Sequence, residues 1–134
     1  MKIEYLETDL LQLVNDFRSE FKTILPVSFQ KEQLGRIRID STILDSLKNK
    51  TGIYYFLQGG KVKYVGRALP TVGIRSRIIS QISAFGDPLW DTVITDENVE
   101  IGVVIFEQNN WYFVSALEHY LIDKLQKPVF NKRY

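Results

Sequence analysis

The sequence predicts an α+β fold, and three observations lead there. A β-rich run, Gly52-Ile53-Tyr54-Tyr55-Phe56-Leu57, faces a second, Lys61-Val62-Lys63-Tyr64-Val65-Gly66, across the turn residues Gln58-Gly59-Gly60. That is a hairpin signal. Val99 to Phe106 reads as a further buried strand. Around these runs lie stretches whose apolar residues recur at helical spacing.

Residues 6 to about 24 read as a helix. Leu6, Leu10, Leu13, Val14, Phe17, Phe21 and Ile24 keep the helical period and Pro26 ends it. Arg36 to Ile39 alternates in the manner of a short strand. Asp40 or Ser41 is placed to cap a short helix through Lys48, with Ile43, Leu44 and Leu47 inward. After the hairpin, Arg67 to Gly73 is a loop. Ile74, Ile78, Ile82 and Phe85 then mark an amphipathic helix, broken by Gly86-Asp87-Pro88. Residues 87 to 98 form an acidic connection. Asn109 or Asn110 starts a last helix on Val114, Leu117, Leu121, Ile122 and Leu125. No repeat or linker divides the chain. It reads as one domain over 1–134, with residues 1–50 an N-terminal extension packed on a core of 51–133.

Composition narrows the chemistry. A chain of 134 residues that is 45% hydrophobic can fill a core. With no cysteine and one histidine, His119, thiolate and His-cluster metal sites are excluded. A bound metal would be a hard cation on oxygen ligands. No apolar run approaches the ~20 residues of a membrane span, and the N-terminus lacks a signal-peptide pattern, so a cytoplasmic location is the default.

Net charge is +1, but the charge is segregated. All 16 acids lie outside the stretch from Ser46 to Gly86, which carries Lys48, Lys50, Lys61, Lys63, Arg67, Arg75 and Arg77. Such a stretch suits a polyanion, and equally a solvated, salt-bridged face.

Three positions invite a mechanism. Tyr54 and Tyr64 share a face of the hairpin only in one register. A two-residue Gly59-Gly60 turn sets Tyr64 opposite Tyr55, and a three-residue Gln58-Gly59-Gly60 turn sets it opposite Tyr54. Arg77 lies beside the apolar stripe of its helix, where a guanidinium fork could reach a phosphate over the sheet edge. Arg75 is its rival, roughly 160° away around the helix. Glu118 interrupts the apolar line Val114, Glu118, Ile122, where a carboxylate is costly unless a cation or hydrogen bonds compensate it. Each has an ordinary alternative: a strand tyrosine, a snorkelling arginine, a salt bridge at the core edge. His119 points elsewhere and reads as a surface residue.

Together these residues resemble a known family. Gly52-Ile53-Tyr54 followed by Tyr64-Val65-Gly66 is similar to the paired motif of GIY-YIG nucleases. Arg77-Ile78, then Leu117-Glu118, Leu121-Ile122, Lys127-Pro128 and Asn131, follow in the family's order. The likeness covers about residues 51 to 133. It implies a three-stranded antiparallel sheet flanked by helices, both tyrosines on one face, and the three-residue turn. It implies a metal-dependent endonuclease cutting DNA, most naturally double-stranded, with a second copy or a partner protein where both strands are cut. Tyr54 and Tyr64 would sit near the attacking water, with Tyr54 as the expected base. Arg77 would bind the scissile phosphate, and Glu118 would hold one divalent cation, Mg2+ or Mn2+. Arg67, Arg75, Gly66, Lys63 and Asn131 are the expected substrate-binding set, with Asn131 bracing the site.

Two departures stand out. The loop before Arg77 is longer than in the repair and homing types. Gln81 stands where several members carry His or Tyr, and it cannot take a proton at neutral pH. The competing reading keeps the fold and loses catalysis, leaving a module that binds nucleic acid or a protein partner.

Overall fold

A computed structural model describes residues 4–20, 26–126 and 128–131. The expected helical positions Phe21 and Ile24, and Lys127, lie outside them. The apolar run Thr51–Gln58 becomes strand β2, buried along nearly its whole length because sheet neighbours flank it and helices cover both faces. Lys61–Ala68 returns as β3. Glu100–Phe106 is β4, paired antiparallel with the other side of β2.

The sheet has four strands, not the three expected. The additional strand, β1, is Val27–Gln33, and the order is β1-β4-β2-β3 with antiparallel neighbours throughout. Its sequence, VSFQKEQ, carries no apolar alternation because the strand lies at the edge and is largely exposed. Main-chain pairing with β4, Val27 opposite Phe106 through Gln33 opposite Glu100, holds it there.

Two helical layers sandwich the sheet. On one face, α1 (Glu7–Glu20) and α5 (Tyr112–Lys124) bury Leu10, Val14 and Phe17 with Val114, Leu117 and Leu121 against Ile53, Tyr55 and Val65. On the other, α2 (Leu34–Ile39), a 3-10 segment Ser41–Leu47, α3 (Ile74–Ile82) and α4 (Pro88–Ile94) pack on Tyr54, Phe56 and Val103. Among the described residues no helix is long and apolar enough to cross a membrane.

Three local expectations need correcting. Arg36 to Ile39 is the end of helix α2, not a strand. Leu34 and Ile37, three apart, point inward, and Arg38 donates to the carbonyls of Ile82 (2.8 Å) and Ile94 (2.6 Å), at the last residues of α3 and α4. The acidic connection contains α4, whose first turn is Asp87-Pro88. The Asp87 carboxylate accepts from the Leu89 and Trp90 amides, and Pro88 needs no amide there. The last helix starts at Tyr112, after a 3-10 turn Gln108–Asn110. Of the two offered caps for the segment before the hairpin, Asp40 is the one used, accepting from Thr42 N at 3.1 Å.

The residues before β1 strap the sheet. Val62 N donates to Tyr5 O at 2.9 Å and Leu6 bridges Lys61, along the outer edge of β3. The chain then crosses one face as α1 before β1 closes the opposite edge.

Candidate active site

The hairpin register is neither of the two expected. Gly59 and Gly60 form a two-residue turn with φ of 60° and 75°, so the three-residue turn implied by the resemblance is not used. A bulge then inserts Lys63: Leu57 opposes Val62, but Phe56 opposes Tyr64 and Tyr54 opposes Gly66. The extra residue shifts Tyr64 to the face of Tyr54 and Phe56. Their rings gather with Trp90, Tyr64 lying 6.1 Å from Tyr54 and 5.6 Å from Trp90, centroid to centroid. Tyr55 faces the other way and donates to Glu7 at 2.9 Å.

Gly66 is required by this arrangement. A Cβ there would stand 2.4 Å from Tyr54 Cζ, so the Tyr54 ring occupies the space that a side chain would take. The ring is fully buried, and its hydroxyl has no hydrogen-bond partner among the described residues. Tyr64 instead reaches a cavity of about 500 Å³ at the β3 edge.

That cavity bridges the two layers. Tyr64, Arg77, Gln81 and Trp90 line it from the α3–α4 side, and Arg67, Glu118 and Ile122 from the α5 side. Asn131 seals the strand between them. Its amide accepts from Val65 N at 2.9 Å and donates to Val65 O at 2.8 Å, replacing the neighbour that an edge strand lacks. Phe130 packs on Trp90 at 5.2 Å.

Gln81 donates to the Tyr64 hydroxyl at 2.9 Å, and its own carbonyl accepts from the Trp90 indole at 3.1 Å. Burial first, and the neighbouring Tyr54 phenol second, push the Tyr64 phenol above its ordinary range, while the Arg77 guanidinium pulls it back. Burial likewise raises the Glu118 carboxyl, against the opposing charges of Arg67, His119 and Arg77. Arg67 lies 3.4 Å from Glu118 and also donates to Ser115 at 3.1 Å. Arg77 is exposed at the rim, within electrostatic reach of both Tyr64 and Glu118.

Tyr64, Arg77, Arg67, Glu118 and Asn131 thus come together. Four expected residues do not line the cavity, and one of them, Gly66, lies against the Tyr54 ring instead. Arg75 pairs with Asp45 at 3.2 Å on the far side of α3. The bulged Lys63 pairs with Glu4. Tyr54 is buried beneath the floor, so of the two tyrosines expected side by side at the site only Tyr64 lines the cavity. Trp90, Phe130 and Ser115 belong to the site but were not signalled. Trp90 sits on the unpredicted helix α4, and Phe130 and Ser115 read as ordinary core and surface positions.

The donor set suits one kind of cation. Among the described residues no three His, Cys, Asp or Glu side chains gather. Glu118 is a largely desolvated carboxylate opening on the cavity, and Asp87 also lines it. That fits a hard cation that keeps most of its waters. Such a cation would share Glu118 with Arg67.

Compared with protein-family models, curated proteins and solved structures, the chain finds no match.

Proposed function

We propose that this protein is a metal-dependent endonuclease of the GIY-YIG type, hydrolysing phosphodiester bonds in DNA. The observation that carries the reading is the convergence of a phenol, two guanidiniums and a desolvated carboxylate on one cavity at a sheet edge. Those groups come from three separate elements of the chain, β3, α3 and α5.

The chemistry follows from what each group can do. Arg77, at the open rim, takes the phosphoryl oxygens of the substrate and offsets the charge that develops on them. Arg67 flanks the same group from the other layer. Tyr64, as phenolate, accepts a proton from the water that attacks phosphorus. The new P–O bond forms as the bond to the leaving oxygen breaks, and solvent protonates that oxygen. Gln81 cannot exchange a proton here, but its N–H stabilises the phenolate oxygen more than the neutral phenol, and so favours ionisation. Tyr54 packs under Tyr64 and fixes its ring. Glu118 would hold a divalent cation, which would supply Lewis-acid polarisation of the leaving oxygen.

A plasmid-nicking assay tests this directly. Supercoiled DNA with Mg2+ or Mn2+ should be nicked by the wild type, and Glu118→Ala should reduce the rate by on the order of 100-fold or more. Nicking that survives chelation of divalent ions would refute the scheme.

The pairing of Glu118 with Arg67 favours a second reading, in which the fold binds nucleic acid without cutting it. Binding that falls steeply with salt while no condition yields nicks would select that alternative.

A further inference from the structure

The face of α5 that carries Glu118 continues beyond the cavity. Trp111 leads into α5 with helical backbone angles, φ −55° and ψ −31°. At helical spacing Trp111, Ser115 and Glu118 fall within about 60° of arc, and Trp111 stands ~10 Å from Glu118 along the axis. Between them Ser115 holds Arg67. Trp111 is 47% exposed and Tyr112 57%, their rings meeting edge-on at 6.1 Å.

A second hollow opens beside the turn that leads into α5. This hollow, of about 590 Å³, is lined by Lys48, Asn49, Lys50, Glu107 and Gln108 among others. Gln108 donates its side-chain amide to Asn49 O at 3.2 Å, and Trp111 N donates to Gln108 O at 3.3 Å. The turn that carries the tryptophan is therefore tied to the lysine loop. Lys48 and Lys50 are exposed and form no ion pair among the described residues. The exposed Trp111 thus sits on a stretch of chain tied at Gln108 to the loop of Lys48 and Lys50, and followed one helical turn later by Ser115, which holds Arg67.

We infer that Trp111 is a stacking platform for an unpaired nucleobase, and that the backbone of a single strand runs from the cavity past Trp111 to Lys48 and Lys50. The inference rests on the reading that the cavity accepts a phosphodiester. A base inside a duplex has both faces covered by its neighbours, so an indole can reach a π face only where the strand is unpaired or splayed. Charge at both ends and an aromatic between them is the arrangement that tracks a single strand. The substrate class is then DNA with unpaired nucleotides beside the cut.

Fluorescence anisotropy in EDTA separates this inference from the nuclease reading, because no cleavage is needed. The probes are a labelled thymidine oligomer of about 16 nucleotides, a blunt duplex of equal length, a forked duplex and a uridine oligomer. The single strand and the fork should bind at least about fivefold more tightly than the blunt duplex. Trp111→Ala should remove that preference without weakening duplex binding, and Trp111→Phe should keep most of it. Replacing Lys48 and Lys50 together with Gln should flatten the salt dependence for the single strand by about 1.4 logarithmic slope units. Tighter binding of the uridine oligomer would assign the strand to RNA and keep the stacking. Equal affinity for single strand and duplex, a preference that persists in Trp111→Ala, or equal weakening of every probe by Trp111→Ala, would overturn the inference. A chain that stacks single strands and never nicks would lose the nuclease reading alone.

Discussion

Tyr54 and Tyr64 belong to the same motif and face opposite circumstances. The buried hydroxyl of Tyr54 has no partner among the described residues, which costs free energy in the folded state. Tyr54→Phe should therefore leave stability unchanged or raise it by about 1 kcal/mol in urea titrations. A loss of 2 kcal/mol or more would mean that the hydroxyl is satisfied in solution. Tyr64→Phe should instead abolish nicking, because Tyr64 is the phenol that meets the cavity. With Tyr64 raised by burial, the nicking rate should climb as pH passes from neutral into the alkaline range. Gln81→Leu should move that rise to higher pH, since the phenolate loses its donor. Glu118 supplies a separate pH signature. Its folded carboxyl ionises above its unfolded value, so the folded state holds the proton longer and stability falls as pH rises from the ordinary carboxylate range through the raised value. Glu118→Gln carries no such penalty. Its thermal midpoint relative to wild type should be higher at pH 7 than at pH 4, and the opposite order would show that Arg67 outweighs burial. Much of this site was legible in the residues: Glu118 interrupting an apolar stripe, Arg77 beside one. The choice between the tyrosines was not, because it depends on which ring lies over Gly66, a contact between strands that no spacing along the chain encodes.

At the scale of elements the hairpin carries the greatest demand. Gly66→Ala would drive a methyl group into the Tyr54 ring and should cost about 1–3 kcal/mol by denaturant unfolding, with loss of nicking as Tyr64 shifts. Full retention of both would show that the ring has room to yield. Asn131→Ala removes two hydrogen bonds to Val65 at a buried position and should cost on the order of 1–3 kcal/mol. The central elements could be read from sequence because burial writes a pattern: a continuous apolar run for β2, an isoleucine every fourth residue for α3. The elements missed are those whose pattern is diluted or ambiguous. β1 is an edge strand and needs no apolar alternation. In α2, Arg-Ile-Arg-Ile fits period two over four residues, and only the addition of Leu34 reveals the helical spacing. Asp87-Pro88 reads as a break, yet an acid followed by proline also starts a helix, as it does in α4. The Lys63 bulge left no signal at all. Lysine is common on edge strands, and only pairing with β2 exposes the extra residue.

For the molecule as a whole, residues 4–20 and 27–33 lie on three sides of the sheet. Tyr5 and Leu6 hold one edge, α1 fills one face and β1 closes the other edge. Removal of this segment would uncover the Val114–Leu125 side of the core and leave β4 with an unpaired edge. Such a truncated chain should be insoluble or lack a cooperative unfolding transition, and a monomeric chain with a sharp midpoint would contradict this. The strand order carries one further consequence. β1 is made well before its strand neighbour β4, which ends at Phe106. Until the ribosome has released that stretch, the earliest strand has nothing to join, while the β2–β3 pair closes within a short length of chain. The nascent chain thus closes its β2–β3 margin before the opposite border, and β1 waits, unpaired, for β4 to emerge.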